Sequence, residues 1–279
     1  MKNKVLRRFL KRPASVLGAV VLLAFFLTAL IGPVVMDADP NAINPEICYQ
    51  PPSAEHPFGT DNLGRDVFTR IVYGARVSMA VSFSGVLIGG AVGVLLGAVA
   101  GYFGGWIDAL ISRFIDILLA FPGLLLAIMV VAVMGSGLGN TIAAIAFYSV
   151  PYSARLVRGV VITIKNAEYC QACRVFGASN ARIIRTHILP NSVSQIIVNT
   201  TLDLGTAILT ASSLSFLGLG VQPPNPEWGA MLATARDVIR SAPFAALIPG
   251  VIITLVVLSF SLVGDGLRDA LDPKLRSNG

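Results

Sequence analysis

Apolar residues in this chain fall into long runs rather than into alternating or narrow amphipathic patterns. Ala14 to Met36, Met79 to Gly101 and Phe244 to Val263 are almost wholly apolar. Each reaches the roughly 20 residues that an α-helix needs to cross a bilayer. Phe114 to Met134 is nearly as apolar, with Asp116 close to its start. Two weaker stretches, Gly137 to about Arg155 and about Gln195 to Gly218, carry Ser, Thr and Asn among their apolar positions. Such helices suit contact with other helices or a pore better than contact with lipid. The pattern predicts an all-α integral membrane protein with six spans.

Composition and charge sharpen that reading. Hydrophobic residues make up 54% and charged residues 13% of the 279, too few charges to cover a soluble surface. If the N-terminus is cytoplasmic and each span reverses direction, 16 of the 21 Lys and Arg residues fall inside, Lys274 and Arg276 among them. Arg65, Arg70, Arg76, Arg236 and Arg240 stay outside. This positive-inside bias places both termini in the cytoplasm. The net charge of +6 then needs no nucleic acid to explain it. Basic residues before the first apolar run mimic a secretory signal, but the run is longer than a signal's apolar region and no clear cleavage site follows. It is expected to be a retained first span.

Between the spans the chain is uneven. Residues 37–77 form a long outside loop rich in Pro and acids, ending in HPFGTDNLGRDVFTRIVYGARVS. There Val67, Ile71 and Val72 can share a face opposite Arg65, Asp66, Arg70 and Arg76, as in a short helix lying on the membrane surface; the segment reads equally well as a solvated lead-in to the second span. Gly85, Gly89, Gly93, Gly97, Gly101 and Gly105 recur every four residues, which predicts a helix face open to close backbone approach. Residues 160–194 are too polar to span. They predict two short helices projecting into the cytoplasm, with Gly177 at the turn between them and Pro190 stopping the second.

Candidate chemistry is sparse. Cys170 and Cys173 have the Cys-x-x-Cys spacing, but no βαβ pattern accompanies a redox motif and no second ligand pair accompanies a zinc site. On a helix, positions 170 and 173 share a face with Gly177. They are read as small packing residues and no metal is expected. No glycine-rich loop followed by Lys-Ser or Lys-Thr occurs, so no phosphate cradle is expected in this chain. His56 and His187 are predicted on opposite sides of the membrane, and no catalytic constellation emerges. Asp116 lies three residues after Arg113 and is expected to pair with it along one helix face. Asp203, inside the fifth span, is either a pore-lining acid or a packing hydrogen-bond partner beside Thr200 and Thr201.

Gln171-Ala172-Cys173, followed after three intervening residues by Gly177 and thirteen positions after that by Pro190, resembles the EAA loop of bacterial ABC importer permeases. In that loop the motif reads Glu-Ala-Ala; here the Glu slot holds Gln171 and the second Ala slot holds Cys173. Glu168, three residues earlier, is not the motif's glutamate, although the Glu-Tyr there resembles the peptide-importer branch. HPFGTDNLGRDVFTRIVYGARVS, RFIDILLAFPGLLLAI, SLSFLGLGVQPPNPEWGAML and GDGLRDALDPK are similar to segments of dipeptide, oligopeptide and glutathione permeases, and the resemblance covers about residues 10–275. The resemblance implies a MetI-like, type I importer core in the bacterial inner membrane. On it, residues 1–77 hold the cytoplasmic tail, first span and periplasmic loop, and residues 78–279 a five-helix permease core. It further implies a second, related permease, two cytoplasmic ATPases that bind ATP and Mg, and a periplasmic binding protein. Glu168, Gln171, Ala172, Cys173, Gly177 and Pro190 would carry the contact with the ATPases. The solute would be a short peptide, glutathione, or a nickel complex. An ion-coupled secondary transporter, the competing class, would carry internal repeats, and none is evident.

Overall fold

A computed structural model describes residues 2–271; Lys274 and Arg276 lie outside them. The described residues are helical, with one isolated β-bridge between Thr60 and Asp66. In chain order the helices are α1 (Lys2–Leu10), α2 (Pro13–Val35), α3 (Val67–Phe103), α4 (Gly105–Leu119), α5 (Gly123–Met134), α6 (Leu138–Lys165), α7 (Glu168–Val175), α8 (Asn180–Ile183), α9 (Leu189–Phe216), α10 (Trp228–Ala235) and α11 (Pro243–Leu271). Short 3₁₀ turns occupy Pro45–Ile47 and Arg236–Val238, and a π turn at Ile184–Ile188 joins α8 to α9.

By length and apolarity alone, α2, α3 and α11 can each cross a membrane. Helices α6 and α9, 28 residues each, are about 42 Å long but more polar, as their Ser, Thr and Asn content predicts. The expected third span is not one straight helix. Helices α4 and α5 are bent by 92° at a short break, where Pro122 cannot continue the helix and Gly123 begins the next. With 12 residues, α5 alone covers about 18 Å, short of a bilayer core.

Of the two readings of residues 67–76, the lead-in to the second span holds in connectivity but not in exposure: these residues are the first part of α3, which runs without interruption across residue 77. Asp66 caps it, accepting from Thr69 N at 2.7 Å. Val67, Ile71 and Val72 are buried in the protein, and so is Arg70. On its polar side Arg70 is held by the 37–66 loop through Pro40 O and Asn41 Oδ1, whereas Arg76 stays exposed.

The glycine ladder is where α3 meets α6. A Cβ on Gly89 would sit 2.2 Å from Ala146 O, and one on Gly97 would sit 2.4 Å from Ala154 O. Gly85, Gly93 and Gly101 are equally tight against Ile145, Ser153 and Arg158. Backbone therefore rests on backbone along the seam. Gly105 falls outside it: φ is +56°, nothing lies within 4 Å of its missing Cβ, and it opens α4. The main core lies on the other side of α3, among α2, α9, α10 and α11, around Trp228, Met79, Ile208 and Phe260. Trp228 is fully buried and donates Nε1 to Ile71 O at 3.1 Å.

Candidate functional site

Helix α7 projects beyond the end of α6 and turns back at Gly177. The turn is a Schellman motif: Ala178 N donates to Cys173 O and Gly177 N to Arg174 O, both at 3.0 Å. Gly177 has φ +78°, the left-handed conformation this motif requires at its glycine. The chain then enters α8, with Ser179 at its N-cap. Pro190 does not stop this helix as expected. It is the second residue of α9, where proline is tolerated near a helix start, and it follows a π turn in which Leu189 N bonds to Ile184 O.

Two side chains that the Cys-x-x-Cys spacing groups together have different surroundings. Cys170 is completely buried against Tyr102, Val157, Val161, Ile183 and Ile188. Burial, reinforced by Cys173 nearby, pushes its thiol pKa up and keeps it in the unreactive form. It is thus absent from the outer surface of α7. Cys173 is half-buried, with Sγ 3.4 Å from His187 Nε2, a contact that the sequence analysis did not identify. Among the described residues no group of three or more His, Cys, Asp or Glu could hold a metal.

The outward face is made by Glu168, Gln171, Ala172, Val175 and Phe176. Val175 is 84% and Phe176 89% exposed. Sequence reasoning missed this apolar tip because it weighed only the motif's small residues. Gln171 donates Nε2 to Asn166 O at 3.0 Å, a bond a carboxylate in that slot could not donate. The segment is anchored to the C-terminal end of α3 through Tyr102. Its hydroxyl donates to Asn180 Oδ1 at 2.8 Å, and the Arg174 guanidinium lies 5.3 Å from its ring centroid, within cation–π range. Lys165 Nζ donates to Gly101 O at 2.7 Å, filling the unpaired carbonyls where α3 ends.

Charged groups nearer the membrane pair across helices rather than along them. Asp116 binds Arg155 of α6, not Arg113, because α4 packs alongside α6. Asp108, not singled out in the sequence, takes Arg158 in a bidentate pair at 2.5 and 2.7 Å, the strong geometry for this ion pair. Asp203 accepts from Asn199 Nδ2 at 2.7 Å and not from Thr200 or Thr201. Asn199 and Thr200 line a groove of about 260 Å³ between α3, α6 and α9, with Gly90 and Ser153 opposite. Glu227, also missed, is 1% exposed. It accepts from Ala230 N at 2.8 Å, capping α10, and from Ser78 Oγ at 3.1 Å. Burial outweighs these bonds and pushes its pKa up.

Residues 93–277 match the binding-protein-dependent transport system inner membrane component family, and residues 3–52 match the N-terminal transmembrane domain of oligopeptide transport permease C. The chain belongs to this permease family. It is 50% identical over 275 residues to the dipeptide transport system permease protein DppC of Alkalihalophilus pseudofirmus, a match spanning 99% of this chain and 90% of that protein. It is 48% identical to the glutathione transport system permease protein GsiD of Pectobacterium atrosepticum, over 97% of this chain and 90% of the relative. In fold it is similar to the inward-facing MetNI methionine ABC transporter, with TM-score 0.61 and 18% identity over 73% of this chain and 97% of that one. An amino acid ABC transporter solved with histidines gives TM-score 0.55 at 17% identity, over 71% and 92% of the two chains. The chain is therefore a multi-pass membrane permease with a MetI-like helical core.

Proposed function

We propose that the chain forms half of the translocation pathway of an ATP-driven importer for short peptides: dipeptides, oligopeptides or glutathione. A second, related permease supplies the other half, a periplasmic binding protein delivers the solute, and two cytoplasmic ATPases bind ATP and Mg and hydrolyse the nucleotide. The carrying observation is the α7 turn: a capped, projecting helix with an apolar tip at Val175 and Phe176, braced on α3 through Tyr102. A shift of a bound ATPase can pass through that brace to the rigid α3–α6 pair as a body movement. The charge bias puts α7 and both termini in the cytoplasm and the 37–66 cap in the periplasm. Six spans follow if α4–α5, α6 and α9 each cross. The groove beside Asn199 and Asp203 faces the pathway in this reading.

The peptide class is favoured by near full-length similarity to dipeptide and glutathione permeases. Uptake competition in a strain lacking only this chain tests it, with dipeptides, longer peptides, glutathione and nickel as competitors. The expected result is loss of uptake for one peptide class, restored by the gene. Loss of nickel uptake alone, with peptide uptake intact, would overturn the peptide assignment while leaving the permease role.

A further inference from the structure

At the outer end of α3, opposite the α7 turn, lies a small polar cavity that the transport reading does not use. Arg65 and Arg70 are 7% and 4% exposed, and one carboxylate, Asp61, faces both. Asp61 Oδ2 accepts from Arg65 Nε at 2.7 Å and lies 3.5 Å from Arg70 Nε. The terminal nitrogen Nη1 of Arg70 is satisfied by Pro40 O at 2.8 Å and Asn41 Oδ1 at 3.1 Å. Its Nε is buried with no hydrogen-bond partner. A cavity of about 30 Å³ opens here, lined by Tyr49, Asp61, Arg65, Arg70, Asn225 and Thr234 among others. Among the described residues no other charged residue lines it.

The charges do not balance: two guanidinium groups share one carboxylate. An uncompensated buried charge is strongly destabilising, and a buried donor without a partner costs its full desolvation. One small anion in the cavity relieves both. The volume corresponds to roughly two water-sized spheres, enough for a monatomic anion but not for a peptide carboxylate with its chain attached. We propose that this cavity is a binding site for a chloride-sized anion, which pins the 37–66 cap to the start of α3 and to α10. Tyr49 and Arg65 belong to the cap, Arg70 to α3 and Thr234 to α10, so the bound ion bridges three segments that otherwise meet across an excess of positive charge. This inference does not depend on the solute that the permease carries.

The test uses the intact transporter purified in detergent, exchanged from chloride into gluconate and titrated with bromide at constant ionic strength. Bromide should raise the Tm by about 2 °C or more, and diffraction from bromide-soaked crystals should show an anomalous peak beside Arg70 Nε. Arg70→Lys keeps the charge but loses the rigid fork, and its Tm should no longer respond to bromide. A cavity holding water alone, bromide found only at exposed side chains, or an equal Tm response in Arg70→Lys would each overturn the site. If Arg70→Lys fails to assemble, the wild-type anomalous map decides by itself.

Discussion

The α3–α6 seam and the α7 turn carry opposite solutions to helix contact. Along the seam five glycines let backbone approach backbone, and a single methyl at Gly89 or Gly97 would collide with a carbonyl oxygen. At the turn, a Cβ added to Gly177 would meet nothing within 4 Å, and the largest apolar side chains point outward. Glycine at the seam serves packing, and glycine at the turn serves backbone conformation. The difference separates a closely packed helix pair from the projecting turn attached to it. Tyr102 is where the two meet, since it ends α3 and holds both Arg174 and Asn180.

The comparison can be broken from either side. Gly89→Leu forces a side chain into Ala146 O, a backbone atom that cannot rotate away. It should cost about 3 kcal/mol or more, read as loss of complex recovered after detergent extraction; a normal yield would mean that the seam is loose. Ala172→Trp adds bulk to an exposed position on α7. Stability should move by no more than about 0.5 kcal/mol, while uptake falls about tenfold, the equivalent of about 1.4 kcal/mol of docking. Equal uptake would show that this face contacts nothing. Tyr102→Phe keeps the ring under Arg174 and deletes the bond to Asn180, for a loss of about 0.5–1.5 kcal/mol. Thermal unfolding measures that loss, and solute-stimulated hydrolysis should weaken with it. The smallest effect on uptake belongs to Cys170→Ala with Cys173→Ala, which trims a buried sulfur at a cost of about 1 kcal/mol and should leave uptake nearly intact. Joint loss of transport and of bound zinc would contradict the packing role.

Much of this division was legible in the chain. The four-residue glycine period announces the seam because repetition at helical spacing has a direct geometric consequence, and the Gly177 turn follows from local backbone chemistry. What escaped was non-local. Asp116 chooses Arg155 over Arg113 because of how α4 lies against α6, which no spacing within α4 encodes. Cys170 turns inward because α8 and the π turn fold over it, so the two cysteines part company. The first turns of α3 read equally as a surface helix or a solvated lead-in because the loop that buries them is remote from their own pattern. Pro122-Gly123 was a visible breaker signal, outweighed by the apolar run around it. Glu227 and the Arg65–Arg70 pair sat in plain sight, but burial, which gives them their meaning, is a property of the fold.

The central claim is that α7 transmits ATPase movement through a turn whose geometry only glycine holds without strain. It is tested most directly by solute-stimulated ATP hydrolysis in the purified complex carrying Gly177→Val. The substitution meets no neighbour, so its effect is backbone strain alone, about 1–2 kcal/mol at a left-handed position. The predicted result is a complex that assembles, binds its ATPases and keeps basal hydrolysis but loses stimulation by binding protein and solute. Wild-type stimulation in that variant would contradict the account and leave α7 a passive connector.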